Sequence, residues 1–181
     1  MIYCFLADGF EETEAIAPVD VLRRAGLRVT VVGIGGRAIV GAHGIAVGAD
    51  ISDSEVGMPT DIDAVILPGG MPGTLNLEKN ETVSQFIGAA AEKGALLAAI
   101  CAAPSILGRR GLLNGKKATC FDGFESMLEG AEFVDAPTVS DGNIITARGA
   151  GAALDFGFAM VRYLVGEDKA ESLRKGMKCP K

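Results

Sequence analysis

Short apolar runs alternate with stretches of helical spacing along the whole chain. Ile2–Ala7 is an uninterrupted apolar run, the pattern of a short buried strand. From Glu11 to Ala25 the spacing turns helical, with Ile16, Val19 and Leu22 on one side and Arg23-Arg24 at the end. Pro18 conflicts with that reading, because a proline should kink the helix or sit in its first turn. Arg28–Ile34 reads as the next strand, turned by Gly35-Gly36, and Ala38–Val40 with Gly44–Val47 reads as a hairpin-like excursion. The buried strand Ala64–Leu67 is closed by Pro68-Gly69-Gly70. A helix over Glu81–Lys93, a buried strand over Leu96–Ile100 and a short helix over Ala103–Arg110 follow. Lys117–Cys120 and Asn143–Ala147 complete the strands, and Leu154–Leu164 and Asp168–Lys175 the helices.

Continuous apolar strands between helices imply a parallel sheet covered on both faces. The expected fold is α/β: a flavodoxin-like, doubly wound, mostly parallel sheet sandwiched between helices, formed by residues 1–181 as a single domain. Ligands of such sheets bind at the carboxyl ends of the strands. The loops after Ala7, Leu67, Ile100 and Ala147 are therefore where chemistry is to be sought.

Composition narrows the function. The 17 Lys and Arg against 23 Asp and Glu give a net charge of −6 over 181 residues. The basic residues cluster in nothing longer than pairs such as Arg23-Arg24, Arg109-Arg110 and Lys116-Lys117, so no nucleic-acid partner is expected. No apolar run approaches the roughly 20 residues of a membrane span, and the first run ends at Asp8 with no basic stretch before it, unlike a signal peptide. A soluble, cytoplasmic protein without membrane contact is expected. Cys4, Cys101, Cys120 and Cys179 have no CxxC spacing and there is one His, so reduced thiols are expected rather than a zinc site.

The loop after Ile100 is the most informative. A buried strand meets a short helix at Cys101, with small residues Ala99 and Ala103 two positions to either side. That is what a tight nucleophile elbow requires. Pro104 suits the first helical turn, and free N–H groups there would favour a thiolate. The competing reading is a small buried cysteine. Pro68-Gly69-Gly70-Met71-Pro72-Gly73 fixes a turn whose N–H groups can face an oxyanion: the Gly70 and Ala102 N–H groups would form the hole. The loop after Ala7 carries Asp8, Glu11, Glu12 and Glu14, which would repel a phosphate. They are either solvated acids at a helix N-terminus, or one of them points inward at Cys101. Gly33-Ile34-Gly35-Gly36 lacks the context of a dinucleotide fingerprint. His43, in Gly41-Ala42-His43-Gly44, is a surface turn residue or a candidate acid–base group; Ala102 rather than His follows Cys101.

Six segments occur in order: Glu11-Glu12-Thr13-Glu14, Pro18-Val19-Asp20, Arg23-Arg24-Ala25-Gly26, Leu67-Pro68-Gly69-Gly70, Ala98 to Pro104, and Arg148-Gly149-Ala150-Gly151. Together they resemble the ThiJ/PfpI superfamily, in the branch of DJ-1 and its bacterial relatives. The resemblance implies that Cys101 is an oxidation-prone nucleophile, Glu14 a protonated partner hydrogen-bonded to it, and Gly70 and Ala102 the backbone donors. It implies a homodimer that needs no cofactor or metal. The implied activity is conversion of a small 2-oxoaldehyde such as methylglyoxal to a hydroxy acid (glyoxalase III or deglycase-like), with a role in carbonyl and oxidative stress. The alternative is a redox sensor or chaperone-like protective protein whose Cys101 oxidises to sulfinate. Phe121 stands where the human-type branch has His, Ala150 where it has Pro, and His43 where it has Arg. His43 would then return an acid–base group to the site, across a dimer interface.

Overall fold

The computed structural model describes residues 1–58 and 61–179. The chain forms β1 (Ile2–Leu6), α1 (Glu12–Arg24), β2 (Val29–Gly33), β3 (Ala38–Val40), β4 (Ala46–Gly48), β5 (Ile51–Ser52), β6 (Ala64–Leu67), α2 (Gly73–Lys79), α3 (Glu81–Lys93) and β7 (Leu96–Ile100). It continues through α4 (Pro104–Arg109), β8 (Lys117–Ala118), β9 (Glu132–Phe133), β10 (Thr138–Asp141), β11 (Ile144–Ala147), α5 (Ala153–Leu164) and α6 (Glu167–Gly176). Seven strands make the central sheet in the order β10-β11-β7-β6-β1-β2-β5, parallel except for the edge strand β10.

The pleat divides each central strand between two cores. On β1, Ile2, Cys4 and Leu6 face one way and Phe5 the other, joined by Ala7 just past the strand. On β7, Leu96, Ala98 and Ile100 oppose Leu97 and Ala99. The first face is covered by α1, α5 and α6 through Val19, Leu22, Phe156, Met160 and Ala170. The second is covered by α2, α3 and α4 through Leu77, Phe86, Ile87, Ile106 and Leu107. Burial on both faces is why these strands read as unbroken apolar runs. The α/β, flavodoxin-like, doubly wound architecture read from the sequence is the observed one.

Several local expectations change. Pro18 lies in the interior of α1, not its first turn, and the helix runs past it to Arg24. Its backbone sits against α5 at Gly157, where an added Cβ would lie 3.1 Å from the Pro18 Cα and 3.0 Å from the Val21 Cβ. The strand expected over Lys117–Cys120 shortens to β8 and pairs with β9 outside the main sheet. The helix α2 and the strands β5, β9 and β10 were not anticipated. The excursion is a true hairpin, with Ala38 opposite Gly48 and Val40 opposite Ala46.

The winding places the site. From β1 the chain moves outward through β2 and β5, then returns to the other side of β1 and runs through β6, β7 and β11. The reversal opens a crevice beyond the carboxyl ends of β1 and β6.

Candidate active site around Cys101

Cys101 follows β7 directly and takes a left-handed conformation with φ 65°. For a non-glycine residue that costs on the order of 1–3 kcal/mol. The strain is held by its neighbours. The Cys101 N–H donates to the Ala147 carbonyl (2.8 Å), and the Cys101 carbonyl accepts from the Phe121 N–H (2.8 Å). The elbow is thus pinned to the end of β11 and to the loop after β8. Pro104 occupies the first turn of α4, as expected.

Glu14 reaches Cys101 from the first turn of α1. Its side chain is 1% exposed, hydrogen-bonds the thiol, and accepts from the Gly69 N–H at 3.0 Å. Gly69 makes this convergence possible. A Cβ there would lie 2.6 Å from the Cys101 Cβ and 2.7 Å from Glu14 Oε2. Glu11 sets the start of the helix: its carboxylate accepts from the Glu14 N–H (2.7 Å), and its own N–H donates to the Gly69 carbonyl (2.9 Å).

The two titratable groups act as one unit. Burial pushes the Glu14 carboxyl up to about 7, against hydrogen bonds from Cys101 and Gly69 that favour the carboxylate. Burial, then the charge and hydrogen bond of Glu14, push the Cys101 thiol up to about 12, against the Gly70 and Ala102 N–H groups. The pair therefore loses one proton near neutrality and holds the second strongly. The sequence argument for a thiolate favoured by helix N–H groups alone is corrected here. Those N–H groups do point at the sulfur, but burial and Glu14 outweigh them. The pair's single charge rests on the Glu14 carboxylate, which accepts from the Cys101 thiol and is placed to take its proton.

A cavity of about 500 Å³ opens over the pair, lined by residues including Glu14, His43, Gly70, Cys101, Ala102 and Phe121. All five residues singled out from the sequence, Cys101, Glu14, His43, Gly70 and Ala102, line it. His43 does so from the same chain as Cys101, with no partner subunit needed to bring it there.

The other acids of the loop after β1 are not free surface charges. Asp8 accepts from the Val40 N–H (2.8 Å) and so holds β3. Glu12, only 7% exposed, accepts from the His43 N–H (2.8 Å) and the Ile45 N–H (3.4 Å), and meets the His43 Nδ1 at 2.8 Å. Burial would raise Glu12, but these hydrogen bonds, the His43 ring foremost, hold it down at about 2. The roles of Glu11, Glu12 and Gly69 escaped the sequence reading. A glutamate repeated at 11, 12 and 14 across a helix start was the available signal. Glu11, Glu12 and His43 also bring one ligand atom each within 4.8 Å of one another, the spacing for a metal ion.

Residues 1–163 match the DJ-1/PfpI family. The chain belongs to that family. It is 38% identical to protein dj-1beta of Drosophila melanogaster over 175 residues, covering 95% of this chain and 93% of the relative. The solved structure of Drosophila dj-1beta superposes with a TM-score of 0.93 at 35% identity, covering 99% of this chain and 98% of that one. A Toxoplasma gondii DJ-1 described as oxidized gives the same TM-score at 27% identity, over 98% and 97%. The Caenorhabditis elegans protein DJR-1.2, a glutathione-independent glyoxalase by name, is 32% identical over 167 residues, or 91% of this chain and 88% of that protein. No helix among the described residues is long and apolar enough to cross a membrane.

Proposed function

We propose that this DJ-1 family member is a cofactor-independent cysteine enzyme that converts 2-oxoaldehydes to 2-hydroxy acids, methylglyoxal to lactate being the simplest case. The observation that carries the reading is half-buried Cys101 paired with buried Glu14 under an open cavity, with the Gly70 and Ala102 N–H groups directed at the sulfur. Glu14 takes the thiol proton as the sulfur adds to the aldehyde carbon. The carbonyl electron pair moves onto oxygen, which the backbone donors stabilise and the Glu14 proton neutralises. Proton transfer from C1 to C2 through an enediol oxidises C1 and reduces C2 within the substrate. Water then cleaves the resulting thioester, releasing the hydroxy acid and the thiol. The name of the nematode relative supports the same chemistry. We further propose a cytoplasmic homodimer acting in carbonyl and oxidative stress, with deglycation of adducts as a related activity. The test is incubation with methylglyoxal without glutathione, with the product identified by NMR. Lactate formation is expected; unchanged methylglyoxal over fully reduced enzyme contradicts the reading.

A second reading, a redox sensor or chaperone-like protective protein, is favoured by the same atoms. A sulfinate on Cys101 would accept from the Gly70 and Ala102 N–H groups and from a protonated Glu14. Graded peroxide with intact-mass analysis tests it. Gain of two oxygens confined to Cys101, in a protein without glyoxalase turnover, would favour sensing.

A further inference from the structure

The one imidazole of the chain is held over the Cys101 cavity by a buried carboxylate that the chemistry above does not use. Glu12 is enclosed by the hairpin it binds. A Cβ on Gly41 would lie 2.2 Å from Glu12 Oε1, so only glycine lets the loop close over the carboxylate. The Glu12 carboxylate also accepts from the His43 and Ile45 N–H groups, so it faces the hairpin as an acceptor. The proton therefore rests on Nδ1, and Nε2 is the basic nitrogen of the neutral ring. We propose that Glu12 and His43 form a second acid–base pair of the site: His43 Nε2 is the base that moves the substrate proton, and Glu12 is the positioning residue that fixes its tautomer and direction.

The proposal rests on the 2-oxoaldehyde reading and assigns one of its steps. Once sulfur is bonded to C1, Nε2 takes the C1 proton. The C1–H electron pair becomes the C1–C2 double bond, and the C2 carbonyl pair moves to its oxygen, which takes a proton. Nε2–H then returns its proton to C2, and C1 regains its carbonyl as a thioester on losing its hydroxyl proton. Glu14 remains with the sulfur and the oxyanion. The groups facing His43 are Glu11 and Glu12 at the start of α1 and, across the cavity, Glu14 and Cys101. Asp122, in the loop beyond Phe121, is tied to Arg148 at 3.0 Å.

A single His makes the experiment direct, since its NMR titration is unambiguous. All assays contain a chelator, which keeps metal off Glu11, Glu12 and His43. His43→Gln is expected to lower kcat on methylglyoxal about 100-fold with KM nearly unchanged. Its log kcat/KM should rise with a slope of about one on the acid side, where wild type, with two required ionisations, has about two. Glu12→Gln is expected to lower the His43 pKa seen by NMR and to move one ionisation of the rate profile with it. Added imidazole should restore rate to His43→Ala. The rate of Cys101 alkylation in each variant controls for damage to the thiol site. If the His43 variants keep wild-type rate and slope, the proposal falls while the enzyme reading stands. If wild type turns over no 2-oxoaldehyde, both fall.

Discussion

Glu14 carries two consequences that separate at the bench. Its carboxyl titrates near 7 in the folded protein against 4.5 for the free side chain, because burial disfavours its charge. The folded state therefore binds more protons than the unfolded chain between those values. This contribution is fully present below pH 4.5 and is lost as pH rises to 7, by about 3 kcal/mol. Glu14→Gln should remove that slope from denaturation midpoints measured across the interval, while abolishing most turnover. Glu12 has the opposite sign. Held near 2, it contributes stability above pH 4.5 that is lost as pH falls toward 2. Glu12→Gln should flatten the acid side only. Urea midpoints at four pH values read both effects.

At the scale of elements, the site depends on close approach between loops. Gly69→Ala would drive a methyl group into the Cys101 Cβ, Glu14 Oε2 and the Ile100 carbonyl together. It should lower stability by about 1–3 kcal/mol and kcat far more, because the collision falls on the reacting pair. A substitution away from the site behaves differently. Asn80 caps α3 by accepting from the Val83 N–H at 3.0 Å, and Asn80→Ala should cost about 1 kcal/mol with kcat unchanged. Thermal melts and steady-state rates on both variants separate the two effects. Much of this was legible in the sequence. The strand runs, the elbow at Cys101 and the Pro-Gly-Gly turn have local causes in burial on both faces and in tight-turn chemistry. What Glu12 does was not legible, since its partners lie 31 and 33 residues away on a hairpin whose docking is a tertiary event. The short strands β5 and β9 and the helix α2 carry too few periodic positions to stand out.

The whole molecule is a sheet with two independent cores. Phe86 anchors the core of α2, α3 and α4, edge-on to Phe5 at 5.1 Å and to Tyr3 at 4.8 Å between ring centroids. Phe86→Ala should cost about 3–5 kcal/mol, read as a fall in the urea midpoint. The active-site pair should titrate normally in whatever fraction stays folded, because Glu14 belongs to α1 on the opposite face. The winding of the sheet is what makes the site. Loops from the ends of β1, β6, β7 and β11 meet at the crevice beside the switch point, and the β3–β4 hairpin closes over it. The central claim is that Cys101 and Glu14 together convert a 2-oxoaldehyde. The most direct measurement compares lactate production from methylglyoxal by wild type, Cys101→Ser and Glu14→Gln under identical conditions. Steady production by wild type, absent in Cys101→Ser and reduced at least about 100-fold in Glu14→Gln, is the expected result. Lactate produced by Cys101→Ser at the wild-type rate would contradict the account.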